Sequence, residues 1–85
     1  MRPGLIVVDS GPIAGANGTV TLGGAGEPVE YTVAPGDAYS AINDRFGISM
    51  DDLLYLNPFR GQAGLTAGEV LNLDRHNRNG PEYKG

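Results

Sequence analysis

The chain has 85 residues, no cysteine, one histidine and a formal net charge of -4 at pH 7. That length holds one small domain, whose core is marginal without a staple, a metal or a partner. The missing cysteines exclude disulfides and thiolate metal sites, His76 alone makes no zinc site, and the acidic balance argues against nucleic acid or an anionic membrane surface as partner.

Leu5-Ile6-Val7-Val8 is the first apolar run, bounded by Pro3-Gly4 and by the turn chemistry of Asp9-Ser10-Gly11-Pro12. It is shorter than the roughly 7–15 apolar residues of a signal peptide, and no run approaches the about 18 of a membrane span. Neither an export signal nor a membrane segment is therefore expected. Ala16-Asn17-Gly18 is a second turn, after which Thr19-Val20-Thr21-Leu22 alternates polar and apolar as a half-buried strand does. Gly23-Gly24-Ala25-Gly26-Glu27-Pro28 reads as a flexible linker. Without the Lys-Ser/Thr ending it is no phosphate loop. Residues 1–28 are expected to be a β-prone, Gly-rich arm. It either folds back on its own domain, hangs loose, or docks on another subunit by strand addition through Leu5, Ile6, Val7 and Val8.

From residue 30 the punctuation becomes dense. Glu30–Val33 is predicted to be a strand with Tyr31 and Val33 on one face. Pro35-Gly36 turns the chain, and Asp37 is placed to cap a helix from Ala38 to about Phe46 by accepting the Ser40 amide. Ala38, Ile42 and Phe46 form its buried stripe, and Gly47 is its left-handed stop. Ser49 and Asp52 form a capping box for a second helix, flanked by Ile48 and Leu53 as a hydrophobic staple. Asn57-Pro58 ends that helix. Val70–Leu73 is predicted to be the closing strand, with Leu71 and Leu73 inward. Residues 75–85 read as a polar tail.

The order strand, helix, helix, strand gives an α+β unit over residues 29–74. Its two end strands pair antiparallel and both helices cover one face. The expected core is Tyr31, Val33, Ile42, Phe46, Leu53, Leu56, Leu71 and Leu73. All of it lies inside the unit, so deleting residues 1–28 is expected to leave the unit folded.

The residues that carry chemistry and those that carry a family resemblance are largely the same. Tyr31-Thr32-Val33-Ala34-Pro35-Gly36-Asp37, Ser40-Ala41-Ile42 and Arg45-Phe46-Gly47-Ile48-Ser49 come first. Asp52-Leu53-Leu54-Tyr55-Leu56-Asn57-Pro58 and Leu65-Thr66-Ala67-Gly68-Glu69-Val70-Leu71-Asn72-Leu73 follow in order. Together they resemble the lysin motif, LysM, along its full length. The resemblance implies a βααβ fold with a two-stranded antiparallel sheet. It also implies non-catalytic binding of N-acetylglucosamine-containing glycans, chiefly peptidoglycan or chitin, in a shallow groove between two loops. Carried onto this chain, the groove is Gly36, Asp37, Ala38 and Tyr39 on one side and Asn57, Pro58, Phe59 and Arg60 on the other, with Leu65 and Thr66 nearby. Two positions depart from the family pattern: Ala38-Tyr39 stands where Thr-Leu is frequent, and Glu69 stands where Gln is frequent.

The same residues have plainer readings. Asp37 suits a helix cap, Tyr39 either packs on the unit or stands in the groove, and Phe59 is the better exposed aromatic. Asp51 and Asp52 lie in a helix's first turn, where acids favour the dipole, and are not read as a catalytic pair. The expected protein is therefore a non-enzymatic module without cofactor or metal, cell-wall associated through its glycan. The alternative is a phage virion structural, decoration or docking protein whose LysM-like unit and arm make protein contacts. Which glycan, which partner and which oligomeric state are not encoded legibly.

Overall fold

A computed structural model describes residues 6–58, 60 and 64–74. The elements are β1 (Thr19–Leu22), β2 (Pro28–Thr32), α1 (Tyr39–Phe46), α2 (Met50–Leu56) and β3 (Val70–Asn72). The strands form one antiparallel sheet in the order β1-β2-β3. On one side of β2, Tyr31 stands opposite Val20; on the other it stands opposite Leu71. The order strand, helix, helix, strand from β2 to β3 is the expected α+β unit. The sheet, however, has three strands rather than two, because Thr19–Leu22 joins it.

The reason is local. Gly23–Gly26 is a hairpin turn and not a flexible linker: the Gly23 N–H donates to the Glu27 carbonyl at 2.7 Å, and Gly26 N–H to the Gly23 carbonyl at 3.0 Å. The Glu27 carboxylate accepts the Ala25 N–H at 2.9 Å. Gly26 has φ of 83°, a conformation glycine takes without penalty. The register slips between Thr21 and Leu22, which faces Pro28. Pro28 has no N–H to donate and is tolerated because it opens its strand.

The core is Tyr31, Val33, Ile42, Phe46, Ile48, Leu53, Leu56, Leu71 and Leu73, joined by Ala16. The eight expected members are all buried, but Ala38, expected on the buried stripe of the first helix, is exposed because it precedes α1. The expectation that the core lies wholly within residues 29–74 is corrected by Ala16, and by Val7 and Val20, which pack against the same cluster. Tyr31 and Phe46 meet edge to face, centroids 5.4 Å apart, the arrangement that aromatic quadrupoles favour.

The segment before β1 is held by Arg45. Its Nε and Nη2 donate to the two Asp9 carboxylate oxygens at 2.7 and 3.2 Å, and its Nη1 donates to the Ala16 and Gly18 carbonyls, each at 3.0 Å. The guanidinium also lies 5.5 Å from the Tyr31 ring centroid and 5.3 Å from that of Phe46. Only 4% of Arg45 is exposed. Its donors are satisfied, which is the condition on which a buried charge is tolerated. The Ser10 N–H donates to the Arg45 carbonyl at 2.9 Å, so the segment also satisfies a carbonyl near the C-terminal end of α1. The predicted strand at Leu5–Val8 is not seen: Leu5 lies outside the described residues, and Ile6, Val7 and Val8 run outside the sheet. The Val8 N–H instead approaches the Phe46 carbonyl at 3.5 Å.

Both helices stop and start largely as the sequence predicts. Gly47 is left-handed at φ 64°, and its N–H reaches the Asn43 and Asp44 carbonyls. Ser49 and Asp52 exchange both bonds of a capping box, and Ile48 and Leu53 are buried beside it. One cap differs. Ala38, not Asp37, precedes α1, with no side-chain cap. The Asp37 carboxylate is drawn into a different set of donors, described below. At the other end of the unit, the Asn57 side chain copies a strand. Its Nδ2 donates to the Asn72 carbonyl at 3.0 Å and its Oδ1 accepts the Asn72 N–H at 2.7 Å. These are the groups that β3 turns away from β2, since its neighbour Leu73 donates to Val29. The expected tail, residues 75–85 with His76, lies outside the described residues.

Candidate functional site

The two loops predicted to form a groove leave the same corner of the sheet. Val33 N–H donates to the Glu69 carbonyl at 2.9 Å and Gly68 N–H to the Val33 carbonyl at 2.8 Å, so the loop after β2 and the loop before β3 share their base. Gly36 at φ 83° and Gly68 at φ 91° supply the tight turns.

Asp37 organises the first loop from inside. Its Oδ2 accepts the Ala34 N–H at 3.0 Å and the hydroxyl of Tyr31, and its Oδ1 accepts the Asn17 N–H at 3.2 Å. The carboxylate is taken up by these three donors, all of which precede it in the chain, which is the physical reason it does not cap α1. Burial works to raise its pKa, but the bonds from Tyr31, Ala34 and Asn17, with the Arg45 charge, outweigh that and hold it below the ordinary 3.8. Tyr31 shows the complementary effect. Burial, then the bond to Asp37, pushes its hydroxyl up to about 12. Tyr31 also accepts the Gly18 N–H at 2.8 Å.

Arg60 ties the two loops. Its Nη1 donates to the Tyr39 hydroxyl at 2.6 Å, its Nε and Nη2 to the Glu69 carboxylate at 2.9 and 3.0 Å, and its Nη2 to the Gly64 carbonyl at 3.3 Å. The guanidinium carbon is 5.8 Å from the Tyr39 ring centroid, within cation–π range. Glu69 in turn accepts the Thr66 N–H at 2.7 Å. Burial alone would lower the Arg60 pKa, but the Tyr39 hydroxyl and Glu69 reverse the direction and raise it.

Of the eight residues expected to face a glycan, Gly36, Ala38 and Pro58 are exposed and Asp37, Tyr39, Asn57 and Arg60 are half-buried. Phe59 lies outside the described residues. Tyr39 and Arg60 meet across the gap between the loops. The Asn57 side chain faces Leu53 and Asn72 instead, donating to the Leu53 carbonyl at 3.0 Å and sealing β3. The Asp37 carboxylate holds the loop's own backbone. Leu65 is half-buried and Thr66 exposed. Asp52 is taken by the capping box, its Oδ2 accepting the Ser49 N–H at 3.2 Å. The expected docking residues Ile6 and Val8 are exposed, while Val7 is half-buried.

One side chain and one backbone segment at the candidate groove are not among the residues the sequence points to. Glu69 departs from the family pattern. The available signal was its charge: an acid beside β3 and a base at position 60 are complementary, and Glu makes the fork–fork pair that Gln lacks. Asn17 and Gly15 reach the first loop through backbone groups, which no residue type announces. The groups that the two loops bring together are exposed backbone at Gly36 and Pro58 and the polar side chains of Tyr39, Arg60 and Glu69. Among the described residues no group of His, Cys, Asp and Glu is arranged to hold a metal ion.

Set beside known families, the chain matches the LysM domain over residues 31–74, just over half its length. The protein therefore belongs to the LysM domain family, whose members are generally non-catalytic binding modules. Curated proteins give no match, and solved structures give none. No helix among the described residues is long and apolar enough to cross a membrane.

Proposed function

We propose that the chain is a non-catalytic module that binds N-acetylglucosamine-containing glycan, peptidoglycan or a chitin-like polymer, between the Gly36–Tyr39 loop and the Asn57–Arg60 loop. The observation that carries this reading is the LysM match over residues 31–74. The shared base of the two loops and their bridge through Arg60 support it. An N-acetyl group presents a methyl and an amide. The exposed loop backbone at Gly36 and the Pro58 carbonyl offer hydrogen bonds to the amide, and the ring of Tyr39 offers an apolar face for the sugar.

Arg60 has a preparatory role in this reading. It holds Tyr39 in one orientation before ligand arrives, which lowers the ordering cost of binding. A groove this shallow makes few contacts, so one module binds weakly and gains from a multivalent polymer. Attachment to the cell wall follows from the ligand.

The test is a titration of the protein with short N-acetylglucosamine oligomers, followed by backbone amide shifts. Shifts confined to Gly36–Tyr39 and Asn57–Arg60 are the expected result. No shifts at millimolar sugar sink the glycan reading and leave the fold untouched.

A further inference from the structure

The family match begins at Tyr31, yet the loop proposed to bind ligand is held in part by residues that precede it. Gly15 accepts the Ala38 N–H at 2.9 Å. Asn17 N–H donates to Asp37 Oδ1 at 3.2 Å. Gly18 N–H donates at 2.8 Å to the Tyr31 hydroxyl, which in turn donates to Asp37. Backbone groups at three positions in a four-residue stretch thus reach Asp37 and Ala38, directly or through Tyr31.

That stretch is itself seated tightly. A Cβ on Gly15 would come within 3.0 Å of the Ala41 Cβ on α1, and one on Gly18 would fall 2.0 Å from the Thr32 carbonyl oxygen. It is clamped from behind by Arg45, which binds the Ala16 and Gly18 carbonyls, and Arg45 is in turn fixed by the two oxygens of Asp9. The contacts form one continuous path, from Asp9 through Arg45 and residues 15–18 to Asp37 and Ala38. It links a carboxylate on one side of the sheet edge to the loop of the candidate groove.

We propose that residues Asp9–Gly18 form a strap that sets the position of the Gly36–Tyr39 loop and so the affinity of the groove, with Asp9 and Arg45 as its positioning residues. The proposal rests on the glycan reading for the identity of the ligand. Neither positioning residue touches the ligand. The strap fixes the direction of the Ala38 N–H and the turn at Asp37, and a loop already in its binding shape binds more tightly.

The experiment uses the full chain and the D9N variant, which keeps the side chain's size and removes its charge. I42V serves as a control, trimming the core while removing none of the strap's hydrogen-bonding groups. Three quantities are measured well below each melting temperature: affinity for a short N-acetylglucosamine oligomer, hydrogen exchange of the Ala38 amide without ligand, and thermal stability. D9N is expected to weaken binding about tenfold, the scale of an ordinary coupling between sites. It is expected to speed Ala38 exchange about tenfold by loosening the loop locally. I42V is expected to lower the melting temperature while leaving affinity and Ala38 exchange unchanged.

Equal affinity for wild type and D9N overturns the proposal, as does an equal loss of affinity in I42V. A wild-type protein that binds no oligomer overturns the glycan reading. The strap is then judged by Ala38 exchange alone, and unchanged exchange in D9N overturns it as well. If D9N does not fold, R45K, which keeps the charge and loses the fork, takes its place under the same criteria.

Discussion

Two arginines in this small protein make the same set of interactions in different surroundings. Arg45 and Arg60 each grip a carboxylate with two nitrogens and each lie over an aromatic ring. Arg45 is 4% exposed and joins the N-terminal segment to α1; Arg60 is 16% exposed and joins two loops. The fold depends more on the Arg45 pair than on the Arg60 pair. Removing the partner of a buried charge leaves that charge desolvated and unpaired, whereas a pair in contact with water is partly replaced by water.

The largest effect is expected from removing the region that Arg45 holds. Deleting residues 1–28 takes away β1, Ala16 and every described partner of the Arg45 guanidinium's donors. No cooperative thermal transition is expected from the remainder, against the sequence-based expectation of a folded unit. A cooperative melt by circular dichroism would show that the two arginines are equally dispensable. Next come Ile42→Ala and Leu53→Ala, which test the core that both arginines border. Each is expected to cost about 2–5 kcal/mol in urea unfolding, and an unchanged midpoint would misplace the core. Asp9→Ala should cost about 3 kcal/mol, the lower end for a broken buried pair because Asp9 itself is partly in water.

Titration sharpens the comparison without mutation. Asp9 is held below 3.8, first by the bond from Arg45 and against the effect of burial, and Asp37 is held below it too. As pH falls, the unfolded chain takes up these protons first. Stability from both carboxylates is therefore full above the ordinary 3.8 and lost as pH drops through their lower folded values. At the alkaline end Tyr31 reverses the sign. Its folded pKa of about 12 exceeds the ordinary 10.0, so its contribution is full below 10 and lost between there and about 12. Urea midpoints across both windows check this, and a flat acid limb in wild type would contradict it. The smallest effect is Glu69→Gln, which keeps the side chain's shape and loses the ion pair. About 1 kcal/mol or less is expected in stability, with amide shifts confined to residues around Tyr39 and Thr66.

What could be read from the sequence and what could not divide along the range of the interactions. Ile48, Ser49, Asp52 and Leu53 announce the start of α2 because a cap and its staple lie within five residues. Gly47 announces the end of α1 for the same reason. Asp37 stands in a sequence that suits both a helix cap and a turn. What decides between them is the Tyr31 hydroxyl and the Asn17 N–H, which only the folded chain brings there. Asp9 and Arg45 are 36 positions apart, and nothing in Asp9-Ser10-Gly11 beyond turn chemistry points to a partner. Gly23–Gly26 fits a tether as well as a hairpin turn, until Thr19–Leu22 is known to lie beside Pro28–Thr32. Of the candidate groove, the pairing of Tyr39 with Arg60 was legible as two residues on opposing loops, but not as a bond, because the bond depends on Glu69 holding the guanidinium.

The strand-like Asn57 side chain has a consequence for colloidal behaviour. Sheets polymerise edge to edge only if each molecule offers two unsatisfied edges, one to receive and one to extend. Asn57 fills the outward-facing groups of Asn72, the last residue of β3, with its own amide, so a second molecule cannot continue the sheet there without displacing it. Among the described residues, backbone pairing at the β3 edge is thereby hindered at Asn72. Asn57→Ala removes that block and is expected to raise the tendency of copies to associate through the β3 edge.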